Sequence, residues 1–221
     1  MHAPISEVRQ VRNRPRDLAT LAFVSLLLIS YIWIWRRSFP GAATLFAVVL
    51  LATLTAGHVL RRESLRDVGF RLDTFARASM LLGPVAAVAI VSAVLIGHLS
   101  GSARFPPAST AVPGIAEAVV FGLAQQYLLL GFFYRRLEEA LQKPASSLLG
   151  AAAVFALFHL PNPFLTAVTF FAGLIAAWVY RRAPNVWVTG VIHGLVSYTL
   201  YFSLSAELTG GLRVGPGYWA S

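Results

Sequence analysis

GLAQQYLLLGFFYRRLEE, residues 122–139, runs from an apolar stretch into a charged edge at Arg135, Arg136, Glu138 and Glu139. It closes a longer apolar segment, Ile115–Tyr134, and apolar segments of about 17–25 residues cross a bilayer as helices. Six further runs have the same character: Leu18–Trp35, Ala42–Leu60, Ser79–Leu99, Ala145–Leu160, Phe164–Tyr180 and Val186–Leu204. No segment alternates with the two-residue period of a membrane barrel. The fold class is therefore all-α, a polytopic helical bundle of about seven transmembrane helices. The composition agrees, with 57% hydrophobic residues, 12% charged residues and a mean hydropathy of +0.68.

The formal net charge of +9 is a question of distribution. With the N-terminus inside, fourteen of the 18 Lys and Arg residues fall in inner segments. Only Arg36, Arg37, Arg104 and Arg213 fall outside. Such asymmetry orients membrane helices, so the expected topology is N-in and C-out, and the basic residues face anionic headgroups rather than nucleic acid. The expected location is an integral protein of a bacterial inner membrane. The chain has no cysteine, which excludes disulfides, thiolate catalysis, thiolate metal sites and prenylation of its own C-terminus. The first apolar run is too long for a signal-peptide core and is read as retained.

Four regions are expected: a basic cytoplasmic arm, 1–16; N-terminal spans with an interfacial segment, 17–110; a core carrying the motifs, 111–205; and an external tail, 206–221. The segment RRESLRDVGFRLDTFARA, 61–78, alternates basic and apolar residues and is expected at the inner interface. SGSARFPPASTAVPG, 100–114, is expected as an outer loop. LPNP at 160–163 and RRAPN at 181–185 read as tight turns.

Polar residues within apolar helices need partners, because an unpaired amide in hydrocarbon is costly. Gln125 and Gln126 sit in the fourth run, His159 follows Phe155 by one turn in the fifth, and His193 and Ser197 share a face of the seventh. Thr189 and Tyr201 extend that face, and Gly190 and Gly194 permit close helix approach. At about 1.5 Å of rise per residue, Gln125 lies about 15 Å deep, His159 about 20 Å and His193 about 12 Å. Groups at such depths gain most by facing one another. The competing reading of each is ordinary: glutamines as interhelical glue, Ser197 and Thr189 bonded to their own i−4 carbonyls. His58 and His98 read as interfacial, Glu117 as remote, and Glu138 and Glu139 as solvated. Two histidines without an acid supply too few ligands for a divalent metal, so no metal or other cofactor is expected.

These residues resemble the CPBP (CAAX protease and bacteriocin-processing, or Abi) family of intramembrane proteases. Its motifs are Glu-Glu-x-x-x-Arg, Phe-x-x-x-His and His-x-x-x-Asn. Here the second is intact as Phe155–His159, and the third is HGLVS, with His193 kept and Ser197 in the Asn position. The first aligns as QQYLLL, with Gln125 and Gln126 in the Glu positions, Leu130 in the Arg position and Gly131 next. The resemblance covers roughly 110–205.

It implies endopeptidase cleavage of prenylated or membrane-embedded peptides. The first-motif acid and His159 would activate water, while His193 and Ser197 would stabilise the oxyanion. An amide does not titrate in the useful range and takes no proton from water, and losing a general base lowers a rate by about 10²–10⁴. The Leu130 replacement is coupled: losing an acid together with its Arg leaves no uncompensated charge. Three functions follow: an intramembrane endopeptidase with a variant centre, a non-catalytic relative that binds a peptide, lipid or membrane-protein partner, or an unrelated transporter or lipid-handling protein. Oligomeric state is not legible in one sequence.

Overall fold

A computed structural model describes residues 5–220, with side chains from residue 15 onward. The expected arm, 1–16, therefore lies largely outside the side chains described. All regular structure among the described residues is helical. α1 (Ile5–Ser30) continues through a π turn to Ser38. α2 (Ala42–Arg61) and α3 (Phe75–Leu99) follow, joined by turns and bends over 62–74. α4 (Ala108–Gln126) passes through a π segment (Tyr127–Tyr134) into α5 (Arg135–Leu141). Then come α6 (Pro144–Leu157), α7 (Pro163–Arg182), α8 (Val186–Ser203) and a short α9 (Ala206–Thr209).

Among the described residues, five helices are long and apolar enough to cross a membrane: Pro15–Ser38, Ala42–Arg61, Phe75–Leu99, Ala108–Leu141 and Pro163–Arg182. They make this a polytopic membrane protein. Large apolar side chains exposed along them, among them Leu51, Val88 and Phe171, suit contact with hydrocarbon tails. The expected fifth span, Ala145–Leu160, is a 14-residue helix that stops at Leu157. At about 1.5 Å per residue it is about 21 Å long, short of a roughly 30 Å core. α8 has 18 residues, and Thr189, His193, Ser197 and Thr199 dilute its apolar run. The outer loop is shorter than its prolines suggest, since the helix starts at Ala108 and carries Pro113 within its second turn.

The helices reverse between two well-defined ends. At one end, Asp17, near the start of the apolar Pro15–Ser38 stretch, accepts from Arg61 at the end of α2 (2.6 Å), and Arg61 also pairs with Glu139 of α5. Arg181 at the end of α7 pairs with Glu138 (3.4 Å). At the other end, the Arg104 amide donates to Phe202 O (2.7 Å) and the Gly215 amide to Leu160 O (2.8 Å). The residues after α8 thus fold back onto the bundle.

Two asparagines tie these ends together. Each turn read from LPNP and RRAPN places an Asn at a helix N-cap, where its side-chain oxygen satisfies an otherwise orphaned amide. Asn162 Oδ1 accepts from Leu165 N and Asn185 Oδ1 from Val188 N, both at 3.0 Å. Their amide nitrogens reach outward: Asn162 Nδ2 donates to Thr209 O and Arg213 O, and Asn185 Nδ2 to Arg71 O (2.6 Å). One residue type both starts a helix and pins a distant segment onto it. Both side chains are fully buried.

Candidate functional site

The site is built on the pairing of α4 with α8, the most extensive helix contact in the bundle. Glycines make it possible. A Cβ on Gly122 would stand 2.4 Å from Gly190 O, and one on Gly194 would stand 2.5 Å from Ala118 O. The backbones therefore touch, and the next turn brings Gln126 opposite His193. Gln126 is 2% exposed, and its Nε2 lies 3.3 Å from His193 Nδ1. An amide nitrogen donates only. His193 Nδ1 is therefore the acceptor, and its proton resides on Nε2.

His159 lies not in α6 but in the turn just past it, its amide bonded to Ala156 O at 2.9 Å. The side chain is buried, and its Nδ1 lies 2.7 Å from Phe155 O. A carbonyl accepts only, so this imidazole carries its proton on Nδ1 and leaves the Nε2 lone pair free. The two histidines thus present opposite faces of their chemistry, an acceptor at His159 and a donor at His193. The Phe155 ring stands beside both, its centroid 4.8 Å from His159 and 5.8 Å from His193. Gly173 of α7 admits that ring, since a Cβ there would meet it at 3.2 Å.

Gln125 behaves differently from its neighbour. It does not reach His159 by a hydrogen bond: His159 is engaged by its own turn, and Gln125 Oε1 is buried without a partner among the described residues. Gln126 Oε1 is also buried and unpartnered. Two adjacent carbonyl oxygens are therefore left with no donor among the described residues. Ser197 is half-buried, and no side-chain hydrogen bond joins its hydroxyl to Gln125, Gln126 or either histidine among the described residues. Thr189 bonds back to Asn185 O (3.0 Å), the ordinary alternative. Tyr201 is 53% exposed and leaves the polar face it was expected to extend.

Leu130, expected in the arginine position of the first motif, is 0% exposed and packs with Leu129, Phe155, Ala176 and Ala177. Glu117 is exposed. No group of three or more His, Cys, Asp or Glu side chains is arranged to hold a metal among the described residues.

A second polar cluster, missed in the sequence, starts one residue further on. Tyr127 Oη lies 2.6 Å from His58 Nε2, and His58 Nδ1 lies 2.6 Å from Glu63 Oε2. Glu63 also accepts from Arg136 at 2.8 and 2.6 Å and from Arg135 at 3.1 Å. Burial acts to raise the Glu63 pKa, but hydrogen bonds from Arg136 and His58 and the charges of Arg136 and Arg135 together hold it well below the usual carboxylate range. Arg136 of the charged edge is 2% exposed, and Glu138 and Glu139, expected as solvated, are partly exposed and also paired. The signal was the RRLEE edge against RRES: complementary charges with α3 and α4 between them.

The geometry defines a membrane-embedded helical protein with a Gln–His centre. Residues 107–199 match the family model described as Rce1-like, Type II CAAX prenyl endopeptidase Rce1-like. At that level, this part of the chain resembles the CAAX intramembrane proteases, and the match spans every motif residue from Gln125 to Ser197. No curated protein and no solved structure matches the chain.

Proposed function

We propose that the chain is a CAAX-protease-like intramembrane protein that binds a prenylated or membrane-embedded peptide without hydrolysing it. The observation that carries this reading is the pair of unpartnered carbonyl oxygens, Gln125 Oε1 and Gln126 Oε1. A buried acceptor without a donor is destabilising by about 1–3 kcal/mol. Backbone N–H groups of an extended peptide are the donors that would relieve it. A carboxylate at these positions would instead seek a proton or a cation, and neither Gln126 nor the buried Leu130 provides one. The site is remodelled as a unit, acid and arginine together. The reading includes seven helical crossings, an inner N-terminus and a bacterial inner membrane, supported by the charge distribution.

A second reading is favoured by the opposed histidine tautomers. His159 Nε2 is free to take a proton from water, and His193 Nε2–H is free to donate to an oxyanion, as the family chemistry requires. Purified wild type and the Gln125→Glu/Leu130→Arg variant, each given a prenylated peptide, separate the two. Binding without cleavage by wild type, with cleavage gained in the variant, supports the first. Cleavage by wild type that His159→Ala abolishes replaces it with the second.

A further inference from the structure

A cavity of about 390 Å³ opens at the charged end of the bundle, away from the Gln–His centre. Four arginines line it from three parts of the chain: Arg66 and Arg71 of the 62–74 segment, Arg135 of α5 and Arg181 of α7. Two carboxylates, Asp67 and Glu138, line it as well. Neither neutralises the arginines fully. Asp67 turns its carboxylate onto Ser64, accepting from the Ser64 amide at 2.8 Å and its hydroxyl at 2.7 Å. Glu138 accepts from Tyr134 Oη (2.8 Å) and stands 3.4 Å from Arg181. Just beyond the wall, Asp73 is shared between Arg66 and Arg71, and Glu63 divides itself among Arg135, Arg136 and His58.

Tyr180 supplies a second, independent observation. It lines the same cavity, is 3% exposed, and its hydroxyl is buried without a hydrogen-bond partner. A phenol is a good donor to an anionic oxygen, and guanidinium groups bind phosphate through paired N–H donors. Basic pockets between membrane helices at the cytoplasmic side suit anionic headgroups. We propose that this cavity is a binding site for a phosphate group, held by Arg71, Arg135 and Arg181 with Tyr180 Oη as a further donor. A lipid phosphate monoester and a soluble phosphate share that chemistry. The site is independent of the peptide-binding reading.

The test uses the full chain in phosphatidylcholine nanodiscs, with or without phosphatidic acid, and separately with inorganic phosphate. Unfolding midpoint and retained lipid are measured. A raised midpoint with phosphatidic acid alone assigns a headgroup site, and one with inorganic phosphate alone assigns a soluble ligand. A rise with both shows that the phosphate group suffices. Arg71→Gln/Arg181→Gln should weaken binding at least about tenfold, the scale of one lost charge-assisted hydrogen bond. Tyr180→Phe should weaken it while leaving the unliganded midpoint near wild type, and so reports even if the double variant folds poorly. No shift with either ligand overturns the proposal. So does an equal loss in Arg62→Gln, whose exposed side chain shares that end of the bundle but does not line the cavity.

Discussion

Gln126 shows how much one residue's environment decides. The same amide could serve as glue between any two helices, worth about 1 kcal/mol, yet here it fixes the tautomer of His193 across a glycine-lined contact. Gln126→Ala is expected to lower the unfolding midpoint in detergent only slightly while abolishing peptide binding. A change in stability alone would return it to a structural role. Glu63 belongs to the opposite case. Replacing it with Gln leaves Arg136, 2% exposed, without its buried partner, and breaking such a pair is destabilising by about 3–5 kcal/mol. Because the folded-state pKa of Glu63 lies below its ordinary 4.5, the stabilisation is complete above that value. It is lost progressively as pH falls below it. Melting the wild type and Glu63→Gln from neutral to acid pH should show the wild type losing its advantage as the carboxylate protonates. At residue scale, the polar residues placed within apolar helices were legible in the sequence. Tyr127–His58–Glu63 was not, because Tyr127 lies far along the chain from His58 and Glu63 and no periodicity links the two stretches.

Among the elements, α4 and α8 carry the site, and their separation is set by Gly122, Gly190 and Gly194. Gly194→Leu must push the backbones apart, so it should be destabilising by about 1–3 kcal/mol and should break the Gln126–His193 bond. Peptide binding measured on the folded fraction should fall with it. The π segment Tyr127–Tyr134 changes the helical phase just after the glutamines, as such segments often do beside functional sites. Regular 3.6-residue counting could not have revealed it. Gly131 sits inside it, where a Cβ would stand 2.9 Å from Val68 O, so the interfacial segment rests directly on the helix. Asn185→Ala, which removes both the cap of α8 and its bond to Arg71 O, should cost about 1–2 kcal/mol. It should also raise hydrogen exchange across 62–74. The helix ends themselves were partly legible. Apolar runs marked where helices lie, but His159 falls beyond α6 because the turn at 158–162 closes earlier than hydropathy alone suggests.

For the molecule as a whole, the ion pairs Asp17–Arg61–Glu139 and Arg181–Glu138 gather at one end, where the sequence also concentrates its charges. The absence of cysteine makes orientation directly measurable. Arg62→Cys should be labelled by an impermeant thiol reagent only from the cytoplasmic side, and Arg104→Cys only from the outer side; the reverse would invert the topology. Binding and hydrolysis at the Gln–His centre are separated by the fate of a peptide presented to it. The most direct measurement is titration of nanodisc-embedded wild type with a fluorescent prenylated peptide, followed by mass spectrometry of that peptide. Saturable binding, an intact peptide, and lost affinity when amides of the bound segment are N-methylated are the expected results. A shortened peptide, or affinity indifferent to N-methylation, would contradict the proposed function.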